Sequence, residues 1–119
     1  MGNRAIIVPK EAVKEKTVCV GIYVHWYDDG LLARAMAEVE DRGYRSVAKD
    51  EAYGMARLCQ TLCERCPDGL NIGLVTCDFG NPEWVRGEAM WLDEGFVMVG
   101  DHGEAEVLDT EDWAEEVSE

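Results

Sequence analysis

The sequence predicts an α+β fold, with two helices packed on one face of a mainly antiparallel sheet. Three observations carry that reading. Residues 17–26 are rich in Val, Ile, Tyr and Trp and lack the i, i+3, i+4 spacing of a helix. Two amphipathic stretches follow in the middle of the chain. The last third returns to short strand-like runs. Strands and helices that segregate along a chain, rather than alternate, build α+β domains.

Each element has its own signal. Ala5-Ile6-Ile7-Val8 is a β-branched run that Pro9, with no N–H to donate, should stop as a first strand. Residues 10–16 are charged and read as a loop or hairpin connection. Tyr27-Asp28-Asp29-Gly30 reads as a turn in which either aspartate caps the next helix. That helix spans about residues 31–42, with Leu32, Ala35, Met36 and Val39 on one face and Gly43 ending it in a left-handed conformation. Asp50 caps a second helix, over about residues 51–66. There Met55, Leu58, Cys59, Leu62, Cys63 and Cys66 recur at helical spacing, and Pro67-Asp68-Gly69 stops it. Strands are expected at 70–77, 89–92 and 96–99, with a loop at 78–87 and a hairpin turn at Asp93-Glu94-Gly95.

A length of 119 residues suits one domain. The apolar pattern assigns residues 1–108 to a single α+β domain and 109–119 to an acidic C-terminal tail or short helix. Thr110 would cap that helix, and Trp113 and Val117, four apart, would dock on the body or on a partner.

Charge is the feature that points toward a partner. Up to Leu58 nine acids face nine bases; after it sixteen acids face only Arg65 and Arg86, so the net charge of −14 sits in the second half. Such a field repels nucleic acid and anionic lipid and attracts basic surfaces. Direct nucleic-acid binding needs clustered Lys and Arg and is not expected. No apolar run approaches the roughly 20 residues that span a bilayer, and the first apolar stretch is too short for a signal peptide. No membrane association is expected, and the five cysteines, an odd set, read as reduced thiols in the cytoplasm of a bacterial host cell.

Motifs that carry chemistry are weak. Cys59, Cys63 and Cys66 match the C-x3-C-x2-C spacing of a cluster-binding loop, and Cys77 or His25 would have to complete a zinc site. Their register with Met55 and Leu62 favours a helix core instead, since buried cysteine behaves as a small hydrophobe. No metal and no cofactor are therefore expected. His25-Trp26-Tyr27-Asp28 sets a histidine near a carboxylate, and a Cys19–His25 pair would give a minor enzymatic reading. Without a positioned nucleophile the chain is expected not to be an enzyme. Asp78-Phe79-Gly80 echoes the magnesium-binding tripeptide of kinases but lacks every accompanying motif.

Gly2-Asn3-Arg4-Ala5-Ile6-Ile7, Ile22-Tyr23-Val24-His25-Trp26, Gly43-Tyr44-Arg45-Ser46 and residues 53–60 together resemble a group of short, uncharacterised phage, prophage and mobile-element proteins of gut bacteria. That group typically has a glycine-rich turn after the tryptophan, where this chain has Tyr27-Asp28-Asp29. It has no assigned activity, so no site residue carries over. The resemblance implies a setting in which a small acidic protein acts against host defence.

Charge and resemblance together predict a non-enzymatic inhibitor of a host defence nuclease or CRISPR complex, of the anti-CRISPR or anti-restriction type. Spaced carboxylates would imitate the phosphate backbone, which presents roughly one charge per 1.7 Å of duplex axis. Glu104, Glu106, Asp109, Glu111 and Asp112, with Trp113, would meet the basic nucleic-acid-binding surface of the host protein. The alternative is a small-molecule binder, such as a sponge for a nucleotide signal. Its pocket would be near His25, Trp26 and Tyr44, with Arg45 or Arg57 meeting phosphate.

Overall fold

Strand β1 (Ala5–Pro9) is the middle strand of a five-stranded sheet and is buried along its whole length. A continuous apolar run without alternation suits a strand covered on both faces. The elements that follow are α1 (Lys10–Glu15), β2 (Val18–Val24), α2 (Asp29–Asp41), α3 (Glu51–Arg65), β3 (Ile72–Asp78), α4 (Pro82–Trp91), β4 (Gly95–Val99) and β5 (Ala105–Val107). This computed structural model describes residues 3–65, 71–100, 105–111 and 113. Among the described residues no helix is long and apolar enough to cross a membrane.

The strand order is β3-β2-β1-β4-β5. Pairs β1–β2, β2–β3 and β4–β5 are antiparallel, whereas β1–β4 is parallel, so the α+β architecture carries a mixed sheet. Alternation along the strands sorts the apolar residues into two clusters. Ala5, Ile7, Ile22, Val24, Val97 and Val99 join Leu32 and Ala35 of α2 and Met55, Leu58 and Leu62 of α3. Ile6, Val8, Cys19, Cys77 and Phe96 join Ala12 and Val13 of α1 and Val85 of α4. The second cluster adds two helices to those the sequence predicts.

Those extra helices correct two expectations. Residues 10–15, read as a connection, are helical because Ala12 and Val13 dock in the second cluster while the charged residues face out. Six residues are too few to show a period. Residues 82–91, read as a loop followed by a strand, form α4. Asn81 Oδ1 accepts from the backbone N–H groups of Glu83 and Trp84, at 3.1 and 3.4 Å, and Pro82 occupies the first turn. Asn-Pro here is a helix start rather than a loop signal. In consequence Asp93-Glu94-Gly95 links α4 to β4 and is not a hairpin turn.

Other local signals behave as the sequence predicts. Asp28 Oδ1 accepts from Leu31 N at 3.1 Å and Asp50 Oδ1 from Tyr53 N at 3.3 Å, capping α2 and α3. Gly43 ends the first of these with φ 74°. Arg42 reaches Glu38 and Glu64, both at 2.9 Å, and Arg65 reaches Glu38 at 3.1 Å, so the two helices share one ion network. The Arg42 guanidinium and Gln60 amide hold the Glu64 carboxyl below its ordinary range. The expected cysteine stripe is narrower than drawn. Met55, Leu58 and Leu62 are buried, Cys59 is half-buried and Cys63 is exposed, while Cys66 lies outside the described residues.

Candidate functional site

Phe79, fully buried just after β3, is an aromatic hub. Its ring meets Phe96 of β4 at 5.4 Å, Trp84 of α4 at 6.0 Å and Trp113 at 6.3 Å, each near-perpendicular. Edge-to-face contact is a favoured aromatic geometry, worth about 0.5–1.5 kcal/mol beyond burial. The hub brings together two acidic segments remote in sequence. Glu83 and Glu88 come with α4, and Asp109 and Glu111 come with the backbone that carries Trp113. Glu94 is exposed in the link from α4 to β4.

Bases of the first half lie both away from this side and on it, since α1, with Lys10 and Lys14, docks in the same cluster as Phe79 and Trp113. Arg42 and Arg45 are engaged with Glu38, Glu64 and Asp50, and Arg65 of the second half is engaged with Glu38. Arg4 pairs with Asp93 at 3.0 Å and lowers the pKa of that carboxyl through side-chain and backbone hydrogen bonds. Lys10 meets Glu106 of β5 at 3.4 Å. Arg86 is the one base on α4.

The expected partner-binding residues divide. Glu106, Asp109 and Glu111 are exposed. Asp109 Oδ1 accepts from Glu111 N at 3.0 Å, and Asp109 O accepts from Trp113 N at 3.1 Å, so this segment is locally ordered by its own aspartate. Glu104 and Asp112 lie outside the described residues. Trp113 does not face a partner. It is 4% exposed in the second cluster, so the tail expected to begin at residue 109 is anchored to the body through Trp113.

The alternative pocket also divides. Arg45 lies over the Tyr53 ring at 4.4 Å, and Arg57 lies 5.3 Å from Tyr53 and 5.7 Å from Tyr44. Beside them is a cleft of about 510 Å³ lined by Tyr44, Arg45, Ser46 and Lys49, over a floor that includes Val39 and Leu58. His25 and Trp26 join another group. His25 Nδ1 is 2.8 Å from Tyr23 OH, its ring is 5.1 Å from Trp26, and Tyr23 is 5.8 Å from Trp91. Lys49 and Tyr53, absent from the sequence-based site, are supplied by the fold of residues 44–53. The Asp50 cap was the only signal pointing there.

The cysteine readings change as well. Cys77 faces Cys19 across β2 and β3, and not the α3 cysteines. Burial pushes the Cys59 thiol up to about 11. Cys19 and His25 stand six residues apart along β2 and its exit, roughly 20 Å at strand rise, so they cannot form a catalytic pair. Among the described residues no group of three or more His, Cys, Asp or Glu is placed to hold a metal ion. No protein family, no curated protein and no solved structure matches this chain.

Proposed function

We propose that this chain is a non-enzymatic, acidic mobile-element protein that binds and inhibits a host defence protein. It would occupy the partner's basic nucleic-acid-binding surface as a partial mimic. The observation that carries the reading is the contact of Phe79 with both Trp84 and Trp113. That hub holds α4, which carries Glu83, Glu88 and the base Arg86, and the segment that carries Asp109 and Glu111 against one aromatic centre. Carboxylates fixed on packed elements keep their spacing, which a basic groove built for regularly spaced phosphates can match.

The test is inhibition of DNA cleavage by a panel of purified restriction and CRISPR nucleases. Glu83→Lys, Glu94→Lys and Glu111→Lys combined should raise the inhibitory concentration by about tenfold or more, equivalent to 1.4 kcal/mol. Added salt should do the same. Inhibition indifferent to both, or absent across the panel, defeats the reading.

A second reading, the small-molecule binder, draws on the cleft beside Tyr44 and Arg45, whose volume falls within the roughly 300–1,000 Å³ of ligand pockets. It would use Tyr44, Arg45 and Lys49, with Arg57 behind the tyrosines, and would not use His25 or Trp26. A melting shift with cyclic nucleotides, lost in Arg45→Glu, supports it; no shift with any of them rejects it.

A further inference from the structure

Two of the free thiols stand opposite each other in the interior. Cys19 of β2 and Cys77 of β3 are register partners and both are buried, and the Cys77 thiol donates to the Val75 carbonyl oxygen at 3.7 Å. Hydrogen-bond parity defines the kind of pair. Phe79 N donates to Thr17 O at 3.2 Å, and His25 N donates to Asn71 O at 2.9 Å. Cys19 and Cys77 lie an even number of residues from both, so they are a hydrogen-bonded pair. Such pairs hold Cα atoms about 5.5 Å apart, inside the disulfide range of about 4.4–6.8 Å. Their Cβ atoms sit near the wide end of about 4.5–5.5 Å, whereas a disulfide wants about 3.5–4.5 Å.

We propose that Cys19 and Cys77 are a reversible redox pair that closes a cross-strand disulfide under a hydroperoxide. The Cys19 thiolate attacks the peroxide oxygen, cleaving O–O and releasing the alcohol, or water from hydrogen peroxide. This leaves a sulfenic acid on Cys19. The Cys77 sulfur attacks the Cys19 sulfur, its proton leaves with the displaced hydroxyl as water, and the S–S bond forms. Two thiols are oxidised by two electrons and one peroxide is reduced by two. Cys19 takes the first step because it keeps some exposure, 7% against 0% for Cys77, and the interaction of the two thiols lowers its pKa while that interaction and burial raise the pKa of Cys77. The Cβ mismatch strains the product, and strained disulfides are the readily reduced ones. The bond would tie edge strand β3 to β2, the junction that carries exposed Val18, Val20 and Leu74.

The test uses the full chain with Cys59→Ser, Cys63→Ser and Cys66→Ser, which leaves both sheet cysteines in place. Folded protein is exposed to hydrogen peroxide, alkylated and weighed intact. The expected product is a monomer lighter by two hydrogens, with a Cys19–Cys77 peptide link that millimolar reduced glutathione opens. Oxidation confined to sulfinic or sulfonic acid, a disulfide-linked dimer, no reaction, or a link that forms only in urea would each overturn the proposal. So would a link that resists glutathione.

Discussion

Trp113 packs against Phe79 with ring centroids 6.3 Å apart and planes at 78°, which ties the last described residue to the end of β3. Beyond β5, Leu108 and Trp113 therefore pack with the domain core. Trp113→Ala should cost about 3–5 kcal/mol in urea unfolding, the range for a buried tryptophan. Among the described residues the buried Trp113 indole N–H has no hydrogen-bond partner, an uncompensated desolvation. Trp113→Phe should accordingly lose less than half as much. Equal losses in the two variants would mean that a contact specific to the indole, and not the volume it fills, holds this part of the core.

Gly54 in α3 presses on the backbone of the preceding loop. A methyl group there would stand 2.5 Å from Val47 N and Cα. Backbone cannot step aside as a side-chain tip can, so Gly54→Ala should cost about 1–3 kcal/mol or more despite its better helix propensity. Thermal melts check the sign. Unchanged or raised stability would show that α3 and the loop separate easily.

Leu62 is fully buried in α3, while Cys63 beside it is exposed. Leu62→Ala should lose roughly 2–5 kcal/mol, and Cys63→Ser should stay within about 0.5 kcal/mol. A large loss at Cys63 would contradict its exposure.

Asp93 gives a pH signature. Arg4 depresses its folded pKa below the ordinary 3.8, so its contribution is fully present above that value and fades as pH falls through the lower folded value. Asp93→Asn should melt below the parent at neutral pH, and the gap should close in acid below pH 3.8. A gap that persists unchanged in strong acid would assign the effect to packing.

Legibility followed the length of each signal. The ten-residue run at β2 and the long periods of α2 and α3 are read directly because period and capping agree. Residues 10–15 and 82–91 were missed for opposite reasons, one too short to show a period and the other opening with Asn81-Pro82 and interrupted by Gly87. The acidic half was visible as composition, but the hub at Phe79 was not. Nothing local in a sequence joins residue 79 to 84 and 113. The same limit hid the Cys19–Cys77 register, which depends on strand pairing.

The anchored tryptophan also decides how the tail must be tested. A cut after residue 108 removes six acidic side chains but takes Trp113 with them, so lost inhibition could follow from a damaged core. A cut after Trp113 removes the three acids Glu115, Glu116 and Glu119 and changes the net charge from −14 to −11. The Phe79 contact stays. This shorter truncation should keep the parent urea midpoint and weaken inhibition modestly, because the acids on α4 and at 109–111 remain. Adding Glu83→Lys and Glu111→Lys to it should then weaken inhibition much further and flatten its salt dependence. If the truncation alone abolished inhibition at full stability, the mimic surface would lie beyond Trp113. The face around Phe79 would then be only its support.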